Sequence, residues 1–115
     1  MFKLATNDHY KEKVTVEIPQ DLGKTAKGSF IVHFKTLNRD RIEELAQDMN
    51  AGSLSESEVL REVVVGFEDV QDEDGQAMEY SEHTRDKLLN IQYVHTAVMK
   101  AFLGSLAGKQ DRRKN

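Results

Sequence analysis

Apolar and polar side chains alternate in two stretches near the start of the chain. Residues 13–18 carry apolar side chains at every second position: Val14, Val16 and Ile18. Residues 30–35 repeat this pattern with Phe30, Val32 and Phe34. Such alternation is typical of half-buried strands, and the proline at position 19 ends the first one. We therefore predict two antiparallel strands joined by a polar loop over residues 20–28.

The hydrophobic period changes to that of a helix after Asn38. Apolar side chains then recur at helical spacing in one stripe: Ile42, Leu45, Ala46 and Met49. Asn38 is a favoured N-cap residue, and the Asn-Ala-Gly sequence at residues 50–52 is a stop signal. A polar helix is therefore predicted between these two signals.

A second helix is predicted to begin at Ser55. Ser55 and Glu58 match the capping box, in which each side chain bonds the backbone N–H of the other residue. The end of this helix is ambiguous, because the three valines at residues 63–65 and the Gly-Phe pair after them favour a strand as much as a helix. On either interpretation the segment belongs to the core.

An acidic segment over residues 68–76 follows this apolar run. The Asp-Glu-Asp-Gly sequence at residues 72–75 favours a tight reversal, either a small hairpin or an irregular loop. The spacing does not suit an EF-hand, because placing Gly75 at loop position 6 leaves Val70 at position 1 and Ser81 at position 12. We therefore predict a solvated turn.

Two further helices are predicted after the turn. Ser81 caps the first, residues 90–92 interrupt the pattern, and the last helix covers residues 93–107. One stripe of the last helix is apolar: Val94, Val98, Ala101, Phe102 and Leu106. The whole pattern predicts an α+β fold, a short N-terminal antiparallel β-sheet packed against three to four α-helices. We expect one domain over residues 1–108 and a basic, flexible tail over residues 109–115.

Charge is distributed unevenly along the 115 residues. The chain holds 16 Lys and Arg against 20 Asp and Glu, a net charge of −4. Residues 109–115 supply four of the basic groups and one acidic group, which leaves 12 basic and 19 acidic side chains, a net −7, in residues 1–108. An acidic body repels nucleic-acid phosphates, so the basic tail alone would have to supply the cationic contacts that nucleic-acid binding needs. We therefore do not expect a nucleic-acid partner, and a small regulator that binds nucleic acid through Arg112, Arg113 and Lys114 is a third alternative.

The sequence lacks the motifs of common catalytic and metal sites. It has no cysteine, no Gly-x-Ser-x-Gly elbow and no complete phosphate-binding glycine loop. Its histidines never stand at the i, i+4 spacing that presents two imidazoles to one metal: His9, His33, His83 and His95. We predict that the protein is not an enzyme and uses no cofactor or metal, and that His33 faces outward or is hydrogen-bonded.

No apolar run approaches the length of a membrane span, and the N-terminal residues lack the apolar core of a signal peptide. We therefore expect neither membrane insertion nor export by that route.

The final helix offers more apolar surface than one core stripe requires. Its small residues Ala97, Ala101 and Gly104 permit close approach of another helix. A domain of this size can also use the entire arc for its own core, so both interpretations stay open. Six residues are candidates for the core or for partner contact: Val63, Val64, Phe67, Tyr93, Val98 and Phe102.

Several segments together resemble the small tail assembly chaperones of long-tailed bacteriophages and prophages. These segments are the pair of N-terminal strands, the polar helix that follows residues 36–40, the Val-Val-Val-Gly-Phe-Glu-Asp-Val sequence at residues 63–70 with its acidic turn, the Tyr80-Ser81 helix start, and the closing helix with its Arg-Arg-Lys-Asn ending at residues 112–115. The similarity spans nearly the whole chain and rests on the order of these segments.

The resemblance implies a non-enzymatic protein of the bacterial host cytoplasm that is absent from the mature virion. Its partners would be the tape measure protein, which it keeps soluble, and the tail tube protein, whose assembly it promotes. Members of the family are often made in two lengths by ribosomal frameshifting, and self-association is left open. The alternative is a small structural tail component, such as a terminator or connector subunit.

Overall fold

The computed structural model describes residues 1–4 and 7–108. Within these residues the chain forms three antiparallel strands and four α-helices, which confirms the predicted α+β fold. The strands are β1 (His9–Pro19), β2 (Thr25–Lys35) and β3 (Val64–Glu68). The helices are α1 (Arg39–Asn50), α2 (Glu56–Val63), α3 (Glu82–Leu89) and α4 (Gln92–Ala107). The predicted tail, residues 109–115, lies outside the described residues.

The first hairpin is longer than its apolar pattern predicts. β1 and β2 pair without interruption from His9 opposite Lys35 to Pro19 opposite Thr25. The predicted loop over residues 20–28 is therefore wrong from Thr25 onward, and a 3₁₀ turn over Asp21–Gly23 makes the reversal. Alternation reveals a strand only where one face is buried. The side chains near the turn are mostly exposed, and backbone pairing alone continues the strands there.

The third strand resolves the ambiguity after the second helix. α2 ends at Val63 and the chain continues directly into β3, which pairs with β2. Gly66 lies opposite His33, but the next pair is Val64 with Phe34, so Val65 is the extra residue of a β-bulge. The bulge turns Val64 inward beside Phe34, and Val65 remains exposed.

One face of the sheet is covered by helices and contains the core. Fifteen described apolar residues form this core cluster, drawn from the inner face of the sheet, α1, α2 and α4. The Phe34 and Phe102 rings lie 5.3 Å apart, which joins α4 to the central strand. The Ser105 hydroxyl donates its hydrogen to the Phe102 carbonyl at 2.7 Å. Because that hydrogen is already used, the Tyr10 hydroxyl of β1 is the donor in its 2.7 Å bond to the Ser105 oxygen. α4 therefore runs along the inner side of β1.

Side-chain caps fix the helix starts as the sequence predicts. Asn38 accepts from the Arg41 amide, and both capping-box bonds between Ser55 and Glu58 are present. Ser81 makes an equivalent pair of bonds with Thr84. The stripe predicted for α1 is only partly right, because Ala46 is exposed.

The attachment of α1 depends on a few side chains. Leu45 is its fully buried residue, and Ile42 and Met49 are half-buried. Arg41 adds a bidentate ion pair with Glu62 of α2, with Nε to Oε2 at 2.8 Å and Nη2 to Oε1 at 2.6 Å. The Arg41 guanidinium lowers the pKa of the Glu62 carboxyl below its ordinary value of 4.5. A matched fork of this kind is the strongest geometry for an ion pair.

Gly66→Ala is expected to destabilise the protein by about 1–3 kcal/mol, because a Cβ at this position would lie 2.8 Å from Nδ1 of His33. The free energy of unfolding, measured with urea, tests this in a cycle of Gly66→Ala, His33→Ala and the double variant. The loss from Gly66→Ala should be much smaller in the His33→Ala background. An equal loss in both backgrounds would show that His33 is not the obstacle.

Acid should loosen α1 before it unfolds the sheet. Because the pKa of Glu62 is lowered in the folded protein, the ion pair contributes fully above pH 4.5 and is lost as the pH falls through the lowered pKa. Amide hydrogen exchange should show loss of protection in α1 below that pH. Glu62→Gln should produce the same loss at neutral pH, and Glu44→Gln, which removes the charge from a single exposed contact to Arg41, should not.

Candidate protein-binding surfaces

The structure separates the six candidate residues into core and surface. Val63, Val64, Phe67, Val98 and Phe102 are all buried in the apolar cluster. Tyr93 is half-buried and borders a groove at the surface. Five of the six residues therefore belong to the core, and Tyr93 packs against that core while remaining partly accessible at the groove.

The final helix divides its apolar arc between the core and the surface. Val94, Val98, Met99 and Phe102 are buried, and Ala101 is half-buried. Leu106, a member of the predicted apolar stripe, is 41% exposed, and Leu103 is 53% exposed. The sheet ends beside Tyr10, which bonds Ser105, so the helix extends past the core at its last turn. Leu106 and Leu103 thus belong to the exposed part of the arc, and the four buried residues to the core.

One candidate surface lies where α3 meets α4, and we call it the junction groove. Two cavities of about 280 Å³ each share Val70, Gln71, Leu88 and Ile91 in their lining. Ile18 and Met78 extend the apolar lining on either side. Val70, Leu88, Ile18 and Met78 are partly buried against the core, and Ile91 is 39% exposed. The result is an open apolar cleft at the surface.

The acidic turn forms the rim of the junction groove. Asp72 organises it, because its Oδ1 accepts from the amides of Asp74 at 2.9 Å and Gln76 at 3.0 Å. Gly75 has a positive φ of 80°, and its amide donates to the Asp72 carbonyl. The predicted turn is confirmed. The rim carries Asp69, Asp72 and Glu73, with Lys87 of α3 as a basic neighbour.

A second candidate surface follows the outer edge of β1, and we call it the strand-edge groove. Two adjoining cavities of about 410 and 340 Å³ share Thr15, Ala97 and Lys100. The strand side is formed by Lys13, Thr15, Glu17 and Pro19. The helix side is formed by one flank of α4: Tyr93, Thr96, Ala97, Lys100, Ala101 and Gly104. The small residues leave this flank shallow.

The backbone of β1 presents hydrogen-bonding groups along the strand-edge groove. The amide of Thr36 donates to the Asp8 carbonyl at 2.9 Å, and that of Gln20 donates to the Lys24 carbonyl at 2.7 Å, one bond at each end of the ladder. The register between them is unbroken, so even-numbered residues of β1 bond to β2. The N–H and C=O groups of odd-numbered residues therefore point away from β2, and no strand among the described residues pairs with them.

The uncovered face of the sheet carries a polar cluster. Glu68 of β3 accepts from Lys11 Nζ at 2.9 Å and from His33 Nε2 at 2.5 Å, and these two neighbours lower the pKa of Glu68. The His33 ring stacks on that of His9 at 5.3 Å, and His9 pairs with Asp8. His33 is both outward-facing and hydrogen-bonded, as predicted. The cluster links the strands across the face.

The described residues contain no group of three or more His, Cys, Asp or Glu side chains arranged to hold a metal ion. Within the same part of the chain, the helices are too short or too polar to cross a membrane.

The junction groove was not predicted from the sequence. Ile91 occupies the break between α3 and α4, and an apolar residue at a helix start, without a capping side chain, is the signal that could have indicated it. Val70 and Met78 flank the acidic turn, and a bond from the Met78 amide to the Val70 carbonyl brings them together. Val70 and Met78 are therefore neighbours because of that hydrogen bond, which the sequence pattern does not reveal.

Comparison with known proteins gives no match, whether to a protein-family model, to a curated protein or to a solved structure.

Alanine substitutions at neighbouring positions of α4 should separate core from surface. Phe102→Ala is expected to cost about 3–5 kcal/mol of unfolding free energy, because Phe102 is 3% exposed and packs against Phe34. Leu103→Ala should change it by less than about 0.5 kcal/mol. Urea denaturation of both variants measures the difference. Equal losses would place Leu103 in the core and contradict the assignment.

Proposed function

We propose that this protein is a phage tail assembly chaperone that holds an apolar helical client, the tape measure protein, in the junction groove. The observation that carries the proposal is the pairing of an apolar cleft with an acidic rim. The cleft offers Leu88, Ile91 and Val70 to an apolar stripe, and the rim offers Asp72 and Glu73 to basic side chains beside that stripe. An amphipathic helix with basic flanks has the complementary chemistry.

The fold supports repeated binding along a long client. The groove is small, so each site contributes modest affinity, and many copies along one helix supply avidity. The acidic surface of residues 1–108, with a net charge of −7, keeps such a coated assembly soluble through mutual repulsion. The resemblance to tail assembly chaperones points to the tape measure protein as the client and to the tail tube protein as a second partner.

The function also determines where the protein is expected. We propose that it acts in the cytoplasm of the bacterial host and leaves the client as the tail tube forms. Mass spectrometry of purified phage particles should therefore detect no copies of it. A fixed copy number in the particles would instead support the alternative, a structural tail component.

Co-expression with the tape measure protein of the same phage should yield a soluble complex, and Ile91→Asp should weaken that complex by roughly tenfold or more. The variant places a charge in the groove, yet aspartate is a better N-cap for α4 than isoleucine, which makes no side-chain cap bond. Loss of binding would then not reflect loss of folding. The measurements are the soluble fraction of the client and the affinity of the purified complex.

The matched control is Leu22→Asp at the tip of the first hairpin. Leu22 is also an exposed apolar residue, and its backbone has a positive φ of 59° that aspartate tolerates better than leucine. This variant should keep wild-type binding. Equal behaviour of the two variants would exclude the junction groove, and a client that stays insoluble with the wild-type protein would exclude the function itself.

A further inference from the structure

We propose that two copies of this chain associate through the outer edge of β1, forming one continuous antiparallel sheet across a two-fold axis at Val14. The inference goes beyond the client-binding role and uses a different surface, the strand-edge groove. Its occupant is a second copy of the same strand.

The hydrogen-bonding pattern of β1 suits pairing with itself. The outward N–H and C=O groups belong to odd-numbered residues, and an antiparallel partner must oppose each of them with a residue of the same kind. With the two-fold axis at Val14, Lys11 lies opposite Glu17 of the second copy, and Lys13 lies opposite Thr15. Each of these residues can then exchange both of its backbone bonds.

Cross-strand charge and the position of Pro19 together favour this register over its neighbours. Side chains of the odd-numbered residues share the uncovered face of the sheet, where directly opposed side chains interact. The axis at Val14 opposes Lys11 to Glu17 twice, once on each side, and the Lys11 ammonium then lies between Glu17 of the second copy and Glu68 of its own chain. An axis at Lys13 would oppose that lysine to its own copy. An axis at Thr15 would oppose Lys13 to Glu17, but it would also bring Pro19, which has no N–H to donate, opposite Lys11, whereas the axis at Val14 leaves Pro19 at the end of the ladder opposite His9.

The helix layer beneath the strand permits the same symmetry. Val14 lines one cavity together with Ala97, Ala101 and Gly104, so three of the four α4 residues next to the axis are small, the fourth being Lys100. Two copies of α4 meeting there can approach closely, because the distance between packed helices depends on side-chain size at the contact. Lys100 is exposed on this flank, and its long side chain can reach solvent past the contact.

A charge exchange between positions 11 and 17 tests the pairing and its register. Glu17→Lys alone opposes lysine to lysine, and Lys11→Glu alone opposes glutamate to glutamate, so each variant should dimerise at least about tenfold more weakly than the wild type. Lys11→Glu also removes the bond to Glu68, so circular dichroism and urea denaturation check that this variant is folded. A mixture of the two variants restores opposite charges at both positions and should form a heterodimer of near wild-type affinity. Analytical ultracentrifugation of the full chain gives all three dissociation constants.

Thr15→Pro provides an independent test that spares the fold. The Thr15 N–H points away from β2, so proline removes a bond to the second copy without removing one from the hairpin. It should weaken the dimer by at least about tenfold, whereas Thr15→Val, which keeps the N–H, should not. Circular dichroism checks that both variants fold.

Three outcomes would overturn the proposal. A wild-type chain that is monomeric up to its solubility limit has no such dimer. A dimer that is unaffected by Thr15→Pro forms through another surface. A mixture of Glu17→Lys and Lys11→Glu that stays as weak as each variant alone excludes the axis at Val14.

Lys24→Glu is the control, because it changes an exposed charge outside the groove and should leave the dissociation constant of the dimer unchanged.

Discussion

The contact between Phe34 and Phe102 positions the rest of the molecule. Phe34 lies on the central strand and is fully buried, and Phe102 lies in the last helix. Because this contact and the Tyr10–Ser105 bond hold α4 against the inner face of the sheet, the helix has one flank beside the edge of β1 and begins beside the acidic turn. Both candidate binding surfaces are therefore borders of one packed helix.

The parts of the fold that depend on local side-chain chemistry could be predicted from the sequence. Asn38, Ser55 and Ser81 each mark a helix start, because a side-chain oxygen that accepts from a nearby amide acts within one turn. The third strand was not separable from α2, because three adjacent valines suit both structures and only the pairing with Phe34 and Val32 decides between them. The full length of the first hairpin could not be predicted either, because the side chains near its turn bury little surface and therefore do not alternate between apolar and polar.

The surfaces were harder to predict than the core. Five of the six candidate residues are apolar side chains that the structure buries, because a chain of this size needs most of its apolar residues for its own core. The residues that line the two candidate grooves are less conspicuous: alanines and a glycine on one flank of α4, the isoleucine at its start, and a valine and methionine brought together by a turn. Hydrophobicity alone does not identify these residues. They are identified by their position in the fold, beside the outward N–H and C=O groups of β1 or beside the acidic side chains of the turn.

The two edges of the sheet have different capacities for growth. β3 is a five-residue strand with a β-bulge, and the carbonyl of Val64 accepts a bond from the Tyr80 hydroxyl at 3.4 Å. Short, bulged edges resist further pairing. A sheet that joins another copy through β1 consequently ends in a blunt edge on both sides, so the association closes at a dimer instead of propagating into a fibre.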